Sequence, residues 1–206
     1  MAVTSSCKNQ LNLSLYISQN RQIAYTAACE NYQVTLYGEE RETPFISDGY
    51  VGSMKKVLTV RIEDYKTALD DASITLTYGD YTAVGKFEFS PLNGKFTTEI
   101  EVEKLPTDSE IYAVINSGGE EEKITLKTFL IDGEIGYNEA LSSVSKTAAK
   151  EINNMLEEGG SIEVRLRKII EKERLYYYVS IIDKTGKTLA YLVDGSNASI
   201  LATKNL

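Results

Sequence analysis

The 206-residue chain contains no histidine and no tryptophan, only three prolines and two cysteines, and 22 basic residues against 30 acidic ones. Each shortage excludes something. Without histidine there is no Ser-His-Asp or Cys-His nucleophilic arrangement, no His-ligated zinc, and no imidazole acid/base near neutral pH. A net charge of -8 repels phosphate backbones, so a nucleic-acid partner is not expected. No run of about 18 apolar residues exists to span a bilayer as a helix. The start, MAVTSSCKNQ, has neither the basic nor the apolar region of a signal peptide.

What the chain does hold is 42% hydrophobic and 25% charged residues, an ordinary globular balance. Much of it alternates. In GKFTTEIEVE, Phe96, Thr98, Ile100 and Val102 fall on one side and Thr97, Glu99, Glu101 and Glu103 on the other, the period of a half-buried strand. LNLSLYIS alternates likewise and reads as a first strand, with Asn20-Arg21 as a turn before QIAYTAA. YQVTLYG, KKVLTVRI, ASITLTYGD, VGKFEFS, EIYAVINS and EEKITLKTFL continue the pattern. Asn93-Gly94 and Gly118-Gly119 accept the positive φ angles of tight hairpin turns. Many short strands with no helical period between them predict an antiparallel β-sandwich, immunoglobulin-like, over residues 1–131, with 1–10 as a loose terminus. Whether the strands in 11–27 belong to it stays open.

After Leu130 the pattern changes. Leu141, Val144, Ala148, Ile152, Met155 and Leu156 recur at steps of three and four, so one amphipathic helix is expected between Gly136, with Glu139 as a partial capping box, and Gly159-Gly160. Strands SIEVRLRKII, LYYYVSIID, KTLAYLVD and ASILATK follow, giving a small α+β domain over 132–206 and an α+β chain as a whole.

Tyr178-x-Val-x-x-Ile-x-Asp-Lys-Thr-Gly-Lys, then Ala190-Tyr-Leu-Val-Asp-Gly and a final apolar strand, resembles the PepSY-like domains of protease propeptides and bacterial envelope proteins. The chain departs from that pattern at Asp194-Gly195-Ser196-Asn197, which lacks the usual Thr-Gly, although Gly195 and Asn197 both tolerate left-handed backbone. As a whole the chain resembles uncharacterised secreted and lipoprotein-type proteins of Gram-positive bacteria that begin with a β-sandwich. The resemblance implies a non-catalytic module outside the cytoplasm that binds or restrains another protein, with an extracellular protease as the sharpest partner class.

Period two in YYYVSIID sends Tyr177 to one face and Tyr176, Tyr178, Ser180 and Ile182 to the other. Tyr176, Tyr178 and Ile182 are therefore candidate contact residues, unless another part of the chain covers them. Tyr78 and Tyr81 are candidates for stacking sugars, which would make the protein a cell-wall glycan binder. A third reading, a hydrolase using carboxylates alone, has only near neighbours to draw on: Glu63 with Asp64, Asp70 with Asp71, Asp132 with Glu134. No catalytic residue, metal ligand or cofactor is assigned. If Met1 stands where a signal was removed, Cys7 is a lipidation candidate; otherwise it is an ordinary thiol or pairs with Cys29 in an oxidising compartment.

Overall fold

The computed structural model describes residues 11–63 and 69–206, and it is mostly antiparallel strand with two helices. Contacts divide it into two compact units. One comprises Gln19–Phe45 and Gly52–Ile131; the other comprises 11–18, Ile46–Val51 and Asp132–Leu206.

Among the described residues the first unit holds nine strands. They are β1 (Ile17–Ala28, from Gln19 onward), β2 (Gln33–Glu42), β3 (Met54–Glu63), β4 (Ser73–Tyr78), β5 (Tyr81–Lys86), β6 (Glu88–Ser90), β7 (Lys95–Val102), β8 (Glu110–Ser117) and β9 (Glu120–Thr128). Hydrogen bonding connects them in the order β6-β7-β3-β2-β1-β9-β8-β4-β5. The path curls until β5 leans on β7. A Cβ on Gly85 would lie 2.6 Å from Thr98 Oγ1 and 2.8 Å from Ile100 Cγ1, so only glycine lets the two strands approach this closely. The sheet nevertheless stops short of closure, because β5 has no ladder partner but β4 among the described residues.

Alternation explains the interior. Val34 and Leu36 of β2, Leu58, Val60 and Ile62 of β3, Ile74 and Leu76 of β4, and Ile111 and Ile115 of β8 form one buried cluster. On β7, Thr98 and Ile100 are buried while Glu99 and Glu101 are exposed, as the period-two reading requires. Gly118 and Gly119 occupy the two left-handed positions of the β8–β9 turn at φ +58 and +87. At Asn93-Gly94 the expectation of a two-residue turn is corrected. Ser90 pairs with Lys95, so four residues make the turn, and only Gly94 takes a positive φ.

Two N-terminal expectations also change. Leu13–Tyr16 is a 3-10 turn, and the strand begins only at Ile17. The cause is Asn12, whose Oδ1 accepts from the Ser14 N–H at 3.2 Å and from the Ser14 hydroxyl at 2.7 Å, offering the backbone a local alternative to the ladder. Leu15 is left 75% exposed, which breaks the apparent alternation. Asn20-Arg21 is no turn but lies within β1, whose register against β2 shifts between Arg21 and Ile23, a β-bulge.

In the second unit β10 (Ile162–Glu171), β11 (Arg174–Asp183), β12 (Thr188–Asp194) and β13 (Ile200–Asn205) form an antiparallel meander. The predicted single helix is two, α1 (Tyr137–Thr147) and α2 (Ala149–Gly159), meeting at Ala148 with φ -98 and ψ 13. No glycine or proline marks this break. Leu141, Val144, Ala148, Ile152 and Met155 are all buried, so the bend keeps one apolar stripe on β10 and β11 across both helices. Gly136 N–H donates to Glu139 Oε2 at 2.8 Å, and Gly160 ends α2 in left-handed conformation.

The β11–β12 turn is fastened by Asp183, which is buried. Its Oδ1 accepts from the Thr185 N–H (2.8 Å), the Thr185 hydroxyl (2.7 Å) and the Lys187 N–H (3.1 Å). Burial pushes this carboxyl up, but the bonds from Thr185 and Lys187 outweigh it and hold the pKa below the ordinary Asp value. A depressed folded pKa gives stability that is complete above the unfolded value, about 3.9, and is lost as pH falls through the folded value. Asp183→Asn should therefore unfold at a lower urea concentration than the parent at pH 7, and the gap should narrow below pH 4. A gap independent of pH would show that the carboxylate charge is not what Asp183 contributes. At the β12–β13 turn the left-handed residue is Ala198 (φ +59) rather than Gly195 or Asn197. Asp194 and Asn197 side chains bridge that turn by accepting from Ser196 and Ser199 N–H.

Candidate functional site

Strand β11 alternates as expected at its start. Tyr177 is buried, while Tyr176 and Tyr178 are half-buried. The Tyr177 hydroxyl, with one proton to give, lies 3.0 Å from the Ile135 carbonyl and 3.2 Å from Glu134 Oε1, and Lys168 Nζ donates to the same Glu134 oxygen at 2.8 Å. Burial first, then the Glu134 carboxylate, pushes the phenol far above its usual range. A phenol so held keeps its proton and braces the segment entering α1. Ile182 is corrected: it is 2% exposed, so it offers no contact surface.

Tyr78 is corrected for the same reason. It is 5% exposed and donates its hydroxyl to the Lys104 carbonyl at 3.0 Å. Its ring stacks on Tyr81 at 5.9 Å between centroids, and Lys104 Nζ sits 5.6 Å above the Tyr81 ring. The ring of Tyr81 is thus already engaged by the protein. Cys29 is a half-buried free thiol, and Cys7 lies outside the described residues. Burial, reinforced by Glu122, pushes the Cys29 thiol up to about 11, opposite to what a nucleophile requires.

Three of the candidate carboxylates are held in ion pairs, Glu134 with Lys168 among them. Glu63 pairs with Lys95 at 2.8 Å and Asp71 with Lys86; Asp64 lies outside the described residues. A buried charge cluster involves residues that no sequence spacing singles out. Glu39, fully buried, accepts from Gln19 Nε2 (2.8 Å), Arg21 Nε (2.8 Å) and Arg41 Nη1 (3.1 Å). Arg41 then grips both oxygens of Glu99 at 3.0 and 2.6 Å, and Arg21 lies 4.8 Å over the Tyr37 ring. The β1–β2 pairing Arg21↔Glu39 assembles this network. With three donors on Glu39, the network ties β1 to β2. Among the described residues no group of three or more Cys, Asp or Glu side chains could hold a metal ion, and no helix is long and apolar enough to cross a membrane.

One surface open to a partner is made of backbone. Strand β13 pairs only with β12 among the described residues, and Leu201 through Leu206 are all exposed. Thr188 and Leu206 exchange both N–H···O bonds (3.0 and 2.9 Å), with Ala190 opposite Lys204 and Tyr191 opposite Thr203. Antiparallel alternation then turns the N–H and C=O of Thr203 and Asn205 away from β12, toward the free side. Lys204 is the only charged side chain on this strand and proline is absent, so the usual guards of an edge are sparse.

No family model, curated protein or solved structure matches the chain.

Proposed function

We propose that this is a non-enzymatic protein-binding module acting outside the cytoplasm, which takes up a strand of its partner along β13. The observation that carries the reading is the free β13 edge, with the outward backbone groups of Thr203 and Asn205 and half-exposed Leu201 beside them. The ion pairs that hold Glu63, Asp71 and Glu134, the absence of histidine and the raised Cys29 thiol support a binding rather than a catalytic role. Immunoglobulin-like organisation of the first unit and PepSY-like organisation of the second belong to this proposal, as does restraint of an extracellular protease. The sequence resemblance supports them, and a helical segment followed by a four-stranded meander is compatible with the second.

The test is Thr203→Pro. Proline deletes an N–H that points away from β12, so the β12–β13 ladder keeps its bonds. Envelope and secreted proteins of the source organism passed over the immobilised full chain should be retained at least tenfold less by the variant, at an unchanged thermal midpoint. Equal retention by both proteins would remove β13 from the interface. Extracellular protease activity unaffected by added protein would remove the protease from the proposal.

A further inference from the structure

A second free edge lies in the other unit, where the curled sheet fails to close. Phe87 N–H donates to the Ala72 carbonyl at 2.8 Å, and the register continues with Gly85 opposite Ile74 and Ala83 opposite Leu76. By alternation the ladder bonds to β4 use Ala83 and Gly85, while Thr82, Val84 and Lys86 turn their N–H and C=O groups outward. Those groups border a groove of about 550 Å³ whose other wall is formed by β6 and β7, from Glu88 to Ser90 and Thr97 to Glu99. Gly85 keeps the floor of this groove low, since it adds no side chain above Thr98.

The groove has a definite chemistry. Val84 is 62% exposed, and Phe89 is 49% exposed with its ring 5.1 Å from Phe96. Its charges are unequally engaged: Lys86 is paired with Asp71 and Glu99 is gripped by Arg41, whereas Glu88 has no ion-pair partner among the described residues. We propose that this seam binds an extended peptide segment of another protein as an added strand. Its apolar side chains cover Val84 and Phe89, and a basic side chain meets Glu88. A strand is the occupant because a row of alternating outward N–H and C=O groups is matched in spacing only by another extended backbone. Six residues of β5 offer an edge about 20 Å long. A basic rather than acidic segment follows from the one carboxylate left unpaired in the wall.

Amide hydrogen exchange on the full chain tests this, using a blocked hexapeptide of alternating valine and lysine at physiological salt. Binding should slow exchange at Thr82, Val84 and Lys86. A valine–glutamate peptide should bind at least tenfold more weakly, and Glu88→Gln should erase that preference. Val84→Pro deletes one outward N–H without touching the β4 ladder and should weaken binding at least tenfold. If that variant is destabilised, exchange in the parent protein still decides. No slowing at these three amides with millimolar peptide overturns the proposal, as does slowing confined to Thr203 and Asn205. A preference that survives Glu88→Gln overturns the assignment of the basic contact.

Discussion

Replacing Glu39 by alanine is expected to destabilise the nine-stranded unit by about 3–5 kcal/mol, the usual result of removing one partner from a buried ion pair. Glu39 is wholly buried and the Arg21 side chain is 9% exposed. Truncation would leave the Arg21 guanidinium beside Gln19 with its carboxylate gone and little water to replace it. Arg41 would lose less, because Glu99 still holds it. Glu39→Gln preserves the shape and one acceptor oxygen, so it should cost about 1–2 kcal/mol. Urea unfolding read by amide exchange in β2 and β3 would separate the two variants. An alanine variant within about 1 kcal/mol of the parent would mean that the strands do not depend on this network, since losses of that size are typical of unremarkable substitutions.

The second large effect is expected at Gly49. Its φ is +81, and an added Cβ would lie 2.5 Å from the Lys184 backbone nitrogen and 2.6 Å from the Asp183 carbonyl carbon. Neither neighbour can yield easily, because the Asp183 turn is pinned by three hydrogen bonds and the Gly49 carbonyl accepts from Ser161 Oγ at 2.9 Å. Gly49→Ala should therefore cost about 3 kcal/mol or more, combining left-handed strain with a backbone collision. Gly133→Ala is the control. Its φ is +73 but nothing lies within 4 Å of the added carbon, so it carries the strain without the collision and should cost about 1 kcal/mol. Thermal unfolding of the pair gives the difference directly. Equal losses would place the whole cost of Gly49→Ala in the backbone angle.

These predictions rest on features of unequal visibility in the sequence. Phe96 to Glu103 announces its own strand, and Gly118-Gly119 its turn, because both depend on neighbours within a few residues. The helical stripe from Leu141 to Met155 is equally local. Leu11 to Tyr16 misled because Asn12 captures the backbone by a side-chain bond, which hydrophobic alternation does not register. Glu39 was invisible for a different reason: its partners Gln19, Arg21 and Arg41 converge only through the register of β1 on β2. The free edges at Thr203 and Val84 were hidden likewise. An edge is defined by which strand is not beside it, and that is a property of topology rather than of any segment. Burial of Ile182 and Tyr78 belongs with these, since alternation assigns a face but does not say what covers it.

The unit that contains Gly49 is assembled from three separated stretches, 11–18, Ile46–Val51 and Asp132–Leu206. Synthesis delivers them in that order, with more than a hundred residues emerging between the first stretch and the last. Gln19–Phe45 and Gly52–Ile131 are therefore complete before Asp183 or Arg165 exists to receive Gly49 and Ser47. On the ribosome the nine-stranded unit can form early, while its inserted loop waits for the meander to appear. A fragment beginning at Asp132 would lack both earlier stretches, leaving Ser161 without the Gly49 carbonyl and Arg165 without the Ser47 hydroxyl. Cutting the chain at its most visible compositional boundary would thus remove part of the structure it was meant to isolate.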